Sequence, residues 1–354
     1  MDIVSIVGAR PQFIKAAQVS REIRKKHKEI ILHTGQHYDP TMSATFFEEL
    51  KIPEPDYNLG VGSGSHAEQT GRMVIGVENV LLKERPALVL VYGDTNSTLA
   101  GTLAAVKVHI PVAHVEAGLR SFNRKMPEEV NRVLVDRVSH LLFCPTKTAV
   151  KNLENEGLTK GVHLVGDVMY DAALHNKALA EEREILKKLD IKERSYLLVT
   201  VHRPVNTDSK ENLTTIVDAL ISSEEDVVFP AHPRTIKFLK KYGLHDKLKE
   251  SIHLIKPASY LDFTCLLMNA KKMITDSGGV QKESYFYEIP CITLRKETEW
   301  VETVEDGWNI LVGANKDRIL DAIKTFDPKG ERRESYGDGK ASKRISEIID
   351  EELS

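Results

Sequence analysis

The sequence predicts a two-domain α/β protein in which each domain is built around a parallel β-sheet. The chain has 354 residues, which is too long for one ordinary hydrophobic core and suits two domains. Short β-branched runs alternate with longer amphipathic segments, a pattern typical of βα units with helices on both faces of a parallel sheet. The composition, 41% apolar and 29% charged, is typical of a soluble globular protein.

The predicted strands are short, apolar and rich in β-branched residues. In the first half of the chain they cover residues 3–7, 30–33, 87–92 and 111–115, with helices predicted at 14–26 and 98–108. In the second half they cover residues 196–201, 227–230, 252–255, 272–275 and 291–294. Because the same rhythm occurs twice, we predict two similar sheets.

A charged, alanine-rich stretch at residues 171–194 is typical of a helix followed by a connector. We therefore place the domain boundary near residue 170, with a first domain at 1–170 and a second at 171–340. The last stretch, residues 341–354, carries isoleucines and a leucine on one helical face and predicts a terminal helix.

Charge and cysteine content exclude several classes of function. A net charge of −3 gives no overall attraction to nucleic acid or to an anionic membrane, so we expect neither as a partner. The longest apolar runs are far shorter than the roughly 20 residues that span a bilayer. Cys144, Cys265 and Cys291 form no Cys-x-x-Cys pair, which argues against a disulfide framework or a zinc site. With a strand at the very start and no targeting segment, these features predict a cytoplasmic protein.

A basic loop follows the first predicted strand. Pro11 suits the first turn of a helix, whose free amides favour an anion, and Arg10 and Lys15 add positive charge there. The same residues also suit a surface ion pair beside an ordinary helix start. The loop lacks the Gly-x-Gly-x-x-Gly and P-loop patterns, so we expect no nicotinamide cofactor and no nucleoside triphosphate site of the usual kind.

A second anion-binding loop is predicted where Ser277, Gly278 and Gly279 follow a strand and open a helix. Adjacent glycines let backbone amides approach a diphosphate, and the helix dipole favours its charge. Glu283 lies a turn later, where it could bind ribose hydroxyls, and Arg295 follows the next strand. A tight turn with a helix cap is the alternative interpretation.

Two histidines, His202 and His232, each come directly after a predicted strand and beside an arginine. Since ligands bind beyond the carboxyl ends of parallel strands, these positions favour a functional role. No third ligand of suitable spacing accompanies them, so we expect no metal.

Three carboxylates, Asp94, Glu116 and Glu128, lie in or just beyond the loops that follow two strands of the first domain. Asp94 also suits a cap of the helix predicted at 98–108, and Glu128 suits the first turn of a helix after Pro127. Their convergence on one sheet edge opposite a basic loop predicts acid–base catalysis.

These loops resemble those of the non-hydrolysing UDP-N-acetylglucosamine 2-epimerases, and the resemblance covers essentially the whole chain. The shared motifs lie at residues 8–11, 92–95, 114–120, 127–132 and 275–281. The resemblance implies the GT-B fold, which has two facing Rossmann-like domains, an interdomain cleft and a terminal helix that returns to the first domain. It also implies a homodimer.

The resemblance further implies the role of each loop. Asp94, Glu116 and Glu128 would be the catalytic acids, with His202 assisting. The implied ligands of UDP and the sugar are Arg10, Lys15, His232, Ser277, Gly278, Gly279, Glu283 and Arg295. The implied reaction eliminates UDP to a 2-acetamidoglucal and adds it back, with no bound cofactor or metal.

Two departures from the family pattern concern regulation and substrate. Residues 41–47 contain none of the glutamines found in members that UDP-N-acetylglucosamine activates, which argues against such activation. Trp300 and Val301 replace an Arg-Pro pair, as in the branch acting on UDP-2,3-diacetamido-2,3-dideoxyglucuronate. A carboxylated sugar would need a further cation, for which Arg120, Arg124 and Arg203 are candidates.

We predict UDP-N-acetylglucosamine as the substrate and keep the diacetamido-uronate as the alternative. A glycosyltransferase of the same fold and a non-catalytic nucleotide-sugar sensor are the competing functions. Either would fail to exchange the hydrogen on carbon 2 when given the UDP-sugar alone.

Overall fold

The chain forms two compact units in a computed structural model that describes residues 1–36 and 53–352, apart from the side chains of residues 10 and 11. The first unit comprises Met1–Leu174 and Glu334–Ser354, and the second comprises His175–Arg333. The units thus divide at residues 174 and 333, where the sequence predicts boundaries at 170 and 340.

The first unit contains, in its described part, a seven-stranded parallel sheet in the order β3-β2-β1-β4-β5-β6-β7. Its strands are β1 (Asp2–Val7), β2 (Lys28–His33), β3 (Tyr57–Asn58), β4 (Leu88–Tyr92), β5 (Val112–Val115), β6 (Leu141–Cys144) and β7 (Val162–Leu164). Its helices are α1 (Arg10–Ile23), α2 (His66–Glu84), α3 (Asn96–Lys107), α4 (Pro127–Val138) and α5 (Lys147–Asn155), and α6 (Val168–Glu181) runs on into the second unit.

The second unit contains a six-stranded parallel sheet in the order β10-β9-β8-β11-β12-β13. Its strands are β8 (Tyr196–Thr200), β9 (Asp226–Pro230), β10 (His253–Ile255), β11 (Lys272–Thr275), β12 (Cys291–Thr293) and β13 (Asn309–Leu311). Its helices are α7 (Ile185–Leu189), α8 (Pro204–Thr207), α9 (Lys210–Ser222), α10 (Pro233–Lys241), α11 (His245–Ser251), α12 (Tyr260–Met268), α13 (Gly278–Phe286), α14 (Val301–Glu305) and α15 (Lys316–Thr325).

Burial on both faces explains why the strands read as continuous apolar runs. In β8, Leu197 and Val199 belong to one hydrophobic cluster, whereas Tyr196 and Leu198 belong to another. Alternate side chains of a strand point to opposite faces, so each face of this sheet has its own core. The two-domain α/β architecture predicted from the sequence is confirmed.

Strand order also fixes where each unit can bind a ligand. In the first sheet the order reverses between β1 and β4, and in the second it reverses between β8 and β11. A crevice opens beyond the carboxyl ends of the strands at such a reversal, and doubly wound sheets bind their ligands there. The loops after β1, β4, β8 and β11 are therefore the ones that matter for function.

The terminal helix α16 (Ala341–Glu352) packs on α1 in the first unit. The Asp171 carboxylate accepts hydrogen bonds from the Ala341 and Ser342 amides at 3.1 and 2.7 Å and so caps this helix. At its other end, Asp350 pairs with Lys26 and His27 just beyond α1. Within the described ranges, no helix combines the length and the hydrophobicity needed to cross a bilayer.

Candidate active site

Lys15 and Glu116 meet beside Gly93, at the point where the first sheet reverses its order. Both side chains are buried and form an ion pair. Gly93 has a φ of +61°, and a Cβ there would lie 3.1 Å from Lys15 Nζ and 3.2 Å from Glu116 Oε2. Glycine suits this position because it accepts positive φ and leaves room for both side chains.

Glu116 itself has an unusual backbone conformation, with a φ of +76°. Its amide and that of Ala117 both donate to the Phe143 carbonyl at 3.1 Å, which anchors the turn to the end of β6. Non-glycine residues in the left-handed region cost of order 1–3 kcal/mol and cluster at functional sites. The conformation of Glu116 therefore supports a functional role for its side chain.

Asp94 follows Gly93 and is held by residues of α4. Arg132 donates to Asp94 Oδ2 from Nε at 3.0 Å and from Nη2 at 2.7 Å. Asn131 donates to the Asp94 carbonyl at 2.9 Å. The alternative role of Asp94 as a helix cap is wrong, because Thr95 occupies the cap position of α3 and its side chain accepts from Thr98.

Glu128 lies in the first turn of α4, half-buried, on the same helix that holds Asp94. Its neighbour Glu129 is buried and accepts from the amides of Ser121 and Phe122 at 2.9 and 3.0 Å, and from Arg132 at 2.7 Å. Burial raises the pKa of Glu129, but these bonds outweigh it and hold the pKa below its usual value. Glu129 thus shapes the loop before Glu128.

The loop after β1 differs from the sequence-based expectation. Helix α1 begins at Arg10 with Pro11 in its first turn, as expected, and both side chains lie outside the described part of the structure. Gln12 Oε1 accepts from the Gly8 and Ala9 amides at 2.8 and 3.0 Å, while Nε2 donates to the Tyr92 carbonyl. The expectation that loop amides here are free for an anion is therefore wrong for residues 8 and 9.

In the second unit, Asp276 organises the loop that carries His202. This buried carboxylate accepts from the amides of His202 at 3.1 Å and Arg203 at 3.0 Å, and from Asn206 Nδ2 at 3.0 Å. The His202 Nδ1 atom lies 3.7 Å from Asp276 Oδ1, and the ring remains partly exposed. Asp276 therefore ties the loop after β8 to the loop after β11.

The rings of His202 and His232 lie together, with centroids 6.2 Å apart. His232 Nδ1 accepts from the Arg234 amide at 3.1 Å and so caps α10. The Arg234 side chain pairs with Asp208 at 2.6 Å, which engages that guanidinium within the unit. Of residues 1–36 and 53–352, no three His, Cys, Asp or Glu side chains are grouped as a metal site requires.

Helix α13 begins with the Ser-Gly-Gly loop after β11. Ser277 occupies the cap position without using its side chain as a cap, and Gly279 is exposed. Arg295 is 7% exposed and donates from Nη2 to Glu299 at 2.9 Å. Its Nη1 atom is buried and has no hydrogen-bond partner among the described residues. A helix start near a buried arginine suits an anion such as a diphosphate.

Glu283, predicted to bind ribose, is 6% exposed and accepts a hydrogen bond of 2.9 Å from the Tyr260 hydroxyl. Burial and the negative charge of Glu283 raise the pKa of Tyr260 well above its usual value, so the phenol stays protonated and donates. If Glu283 binds a ribose hydroxyl, it does so in addition to its hydrogen bond with Tyr260.

Comparison with known proteins identifies the family. The sequence profile of the UDP-N-acetylglucosamine 2-epimerase family matches residues 21–350. The chain belongs to this family. The resemblance drawn from the sequence motifs is thereby confirmed, and so is the assignment of the protein as an epimerase, an enzyme of the isomerase class.

Several relatives of this epimerase match along their whole length. A Methanococcus maripaludis protein named UDP-N-acetylglucosamine 2-epimerase homolog is 58% identical, over 99% of both chains. The Pseudomonas aeruginosa UDP-2,3-diacetamido-2,3-dideoxy-D-glucuronate 2-epimerase is 49% identical, also over 99% of both. A solved structure of the Methanocaldococcus jannaschii UDP-GlcNAc 2-epimerase with UDP-GlcNAc and UDP matches with a TM-score of 0.93 at 46% identity, covering 99% of this chain and 100% of that one. The fold of the epimerase is therefore GT-B.

The residues that depart from the family pattern lie beside the start of α13. Trp300 is buried, its Nε1 atom would lie 3.3 Å from a Cβ on Gly278, and the Lys282 ammonium lies 3.9 Å from the centre of its ring. Trp300, one of the two residues that stand in place of an Arg-Pro pair, thus packs beside the Ser-Gly-Gly loop. Residues 41–47, where activating glutamines are absent, lie outside the described residues.

Arg120, one candidate to bind a sugar carboxylate, is engaged elsewhere in the epimerase. It is buried and donates to Asp136 and to both oxygens of Glu156. Arg124 is exposed and Arg203 is half-buried, so these two remain as candidates.

Some residues that hold the catalytic loops in place lie in the sequence motifs, but the sequence alone assigns them no role. Arg132 lies in the motif at 127–132 and Asp276 in the motif at 275–281, yet both act through partners distant in sequence. Their presence in motifs was a signal that could have identified them. Gln12 and Asp136 carried no comparable signal, since their partners appear only in the fold.

Proposed function

We propose that the protein is a non-hydrolysing UDP-N-acetylglucosamine 2-epimerase, which interconverts UDP-N-acetylglucosamine and UDP-N-acetylmannosamine. The observation that carries this proposal is the ion pair of Lys15 and Glu116 beside Gly93, the residue directly before Asp94, in a chain of the epimerase family. The Methanocaldococcus jannaschii enzyme, similar over the whole chain, has been solved with UDP-GlcNAc bound.

The chemistry follows from the low acidity of the hydrogen on carbon 2, which is not next to a carbonyl. Breaking the bond between carbon 1 and the UDP oxygen gives carbon 1 cationic character and acidifies carbon 2. The bonding electrons leave with UDP, the proton passes to a carboxylate, and the product is 2-acetamidoglucal. Addition of UDP to carbon 1 and of a proton to the opposite face of carbon 2 gives the epimer.

Each candidate group has a place in this scheme. Asp94, Glu116 and Glu128 supply the carboxylates that stabilise the cationic carbon and transfer the proton, and His202 assists. Lys15 pairs with Glu116, and a cation beside a carboxylate favours its ionised, proton-accepting form. A positioned base contributes roughly 10²–10⁴-fold to the rate.

In the second unit, the anion-binding groups would stabilise departing UDP. The start of α13 offers the amides of Gly278 and Gly279, whereas the Ser277 amide donates to Thr275 Oγ1 at 2.9 Å and leaves its own hydroxyl as the proposed ligand. Arg295 Nη1 lies buried without a described hydrogen-bond partner. His232 and Glu283 are further proposed ligands of the nucleotide, and Arg10 is proposed from the first unit.

A second candidate substrate is UDP-2,3-diacetamido-2,3-dideoxyglucuronate. The Pseudomonas aeruginosa enzyme named for this substrate is 49% identical to the chain, compared with 46% for the Methanocaldococcus jannaschii enzyme named for UDP-N-acetylglucosamine. Trp300 and Val301 next to the Ser-Gly-Gly loop agree with that branch. Arg124 or Arg203 would bind the sugar carboxylate.

Proton NMR of the purified protein with each UDP-sugar in heavy water tests both candidates. We expect the epimer to form with deuterium at carbon 2, because the proton is exchanged with solvent during elimination. Turnover of one sugar and not the other identifies the substrate. Epimer formed without deuterium would contradict the elimination route, and no reaction with either sugar would favour a glycosyltransferase or a sensor.

We further propose a cytoplasmic homodimer. In the first unit, Val130, Leu134 and Val138 form an exposed apolar stripe on α4, and Ile75 and Leu82 are exposed on α2. Such a patch is typical of a surface that pairs with another protein. Light scattering after gel filtration should give twice the mass of one chain, and Leu134→Glu should reduce it towards one. All three cysteines are buried free thiols, as a reducing compartment allows.

A further inference from the structure

An ionic network that is buried at its centre lies behind the loops that carry Asp94 and Glu116. At its centre is Asp136 on α4, whose Oδ1 atom lies 2.7 Å from His114 Nδ1. Its Oδ2 atom accepts from the Gly118 amide at 3.1 Å and from Arg120 Nη1 at 2.7 Å. The side chains of His114 and Asp136 are both 0% exposed.

The other side of the His114 ring reaches the loop after β4. Its Nε2 atom lies 2.7 Å from the Gly93 carbonyl oxygen, and Gly93 is followed directly by Asp94. A carbonyl oxygen can only accept a hydrogen bond, and so can an ionised carboxylate. Both ring nitrogens of His114 therefore donate, which requires the imidazolium form.

The surroundings of Asp136 favour the ionised carboxylate. Burial raises the pKa of Asp136, but hydrogen bonds and charge from His114 and Arg120 outweigh it and hold the pKa below its usual value. Arg120 is balanced in turn by Glu156, to which it donates at 2.7 and 2.9 Å. The network thus contains two cations and two carboxylates, and the pairing allows His114, Asp136 and Arg120 to be buried while Glu156 stays partly exposed.

Three backbone positions of positive φ lie at the residues that this network holds. Gly93 has a φ of +61°, Glu116 of +76° and Gly118 of +80°. A hydrogen bond from the network ends on Gly93, which lies beside Glu116, and another on Gly118, two residues after Glu116 in sequence. A strained turn persists only where the surrounding structure holds it in place. Asp136 holds this turn through its hydrogen bond with the Gly118 amide.

We propose that Asp136 is a positioning residue for the epimerase reaction, because it holds doubly protonated His114 against Gly93 and fixes the turn that carries Glu116. The proposal rests on the proposed function. It assigns Asp136 no contact with the substrate, since Asp136 acts only through His114, Gly118 and Arg120. A misplacement of about 1 Å in a catalytic group can lower a rate on the order of 100-fold.

The variant Asp136→Asn tests the proposal, with Asp171→Asn as its matched control. Asp171 is a buried carboxylate of the same unit, and it accepts two backbone amides. These amides belong to the start of α16, and Asp171 follows the edge strand β7, whereas Asp94 and Glu116 follow the central strands β4 and β5. We expect kcat to fall on the order of 100-fold in Asp136→Asn. We expect KM to change less than about threefold, since the UDP-binding groups assigned to the second unit are untouched. Asp171→Asn should keep the wild-type kcat.

Nitrogen-15 NMR of the imidazole rings gives a second readout, with His114 assigned by comparison with His114→Gln. The spectra are recorded at pH 7.5, which is about one unit above the usual pKa of a histidine side chain. In the wild type, both His114 nitrogens should carry protons at this pH. In Asp136→Asn one proton should be lost, because the anion that retains it has gone. A singly protonated His114 in the wild type would overturn the proposal even if the variant does not fold.

The kinetic results separate this inference from the proposed function. If the wild type epimerises no UDP-amino sugar, the proposed function fails. If the wild type is active and Asp136→Asn is unstable yet retains kcat within about twofold, the network serves folding alone and the inference fails. A kcat loss in Asp136→Asn together with the change at His114 supports it.

Discussion

The two units of the epimerase share one topology and differ in the chemistry of their loops. Both are parallel sheets with an order reversal, and in both a buried aspartate accepts at least one backbone amide of another loop. In the first unit that aspartate, Asp136, supports loops that present carboxylates. In the second unit Asp276 supports a loop that presents His202. The same scaffold therefore serves different chemistry, because side chains at the strand ends determine function and the sheet does not.

The basic side chains of the two units also differ, in how completely they are paired with carboxylates. Lys15 and Arg132 in the first unit are paired with Glu116 and Asp94, so their charges are already balanced. Arg295 in the second unit pairs with Glu299 through Nη2 only. We infer that the first unit holds reacting carboxylates in place and that the second receives an anion. Changes at the carboxylates of the first unit should therefore affect kcat, and changes at Arg295 in the second should affect affinity for UDP.

Glu116→Gln should give the largest effect. The amide keeps the size of the side chain but can neither accept a proton nor stabilise a cationic carbon, so kcat should fall roughly 10²–10⁴-fold. Initial rates of epimerisation by NMR measure this effect. Glu22→Gln, which alters a surface pair with Lys25 in the same unit, is the control and should leave the rate unchanged. Weaker binding of UDP with a normal kcat in Glu116→Gln would contradict the division of roles.

Arg295→Lys should have a smaller effect, on affinity. Lysine can still pair with Glu299, but it lacks the second guanidinium nitrogen that we assign to the diphosphate. Since a hydrogen bond to a charged group contributes about 1.5 kcal/mol or more, the Kd of UDP should rise about tenfold. Calorimetric titration with UDP measures it. Arg318→Lys, at an exposed arginine of the same unit, should bind as the wild type does; equal affinities in both variants would exclude Arg295 as a ligand.

The remaining expected effect is on stability and its dependence on pH rather than on activity. The pKa of Glu129 is lower in the folded state, so its stabilisation is complete above the unfolded value of about 4.3 and is lost as pH falls through the folded value. Glu129→Gln should cost about 1–3 kcal/mol at pH 7 and less at pH 3, as judged by urea unfolding.

The second unit offers a comparison for this prediction. Hydrogen bonding to Arg183 lowers the pKa of Asp262, but this carboxylate is more exposed than Glu129, so Asp262→Asn should cost less than about 1 kcal/mol. A difference between wild type and Glu129→Gln that widens as the pH falls would contradict the assigned sign.

Much of the fold could be predicted because burial leaves a local pattern. The predicted strand at 272–275 matches β11, and that at 196–201 matches β8 to within one residue, since both have apolar or β-branched residues at their buried centres. The sequence analysis does not predict strands β3, β6, β7 and β13. Three of them have only two or three residues and are less completely buried. The fourth, β6, is a fully buried four-residue apolar run, so its pattern was present and was missed. Helix α1 begins at Arg10, four residues before the predicted start, because polar residues of its first turn do not follow the apolar period.

By itself, the sequence determined the two parallel-sheet units, the family, and the loops in which reactive residues lie, because these depend on periodicity and on motifs that are local in the chain. Only the tertiary structure decided which partners those residues have. Arg132 reaches Asp94 across 38 positions, and Asp276 reaches Asn206 across 70. Sequence spacing carries no record of such contacts, because they form only when strand order brings distant segments to one edge of a sheet.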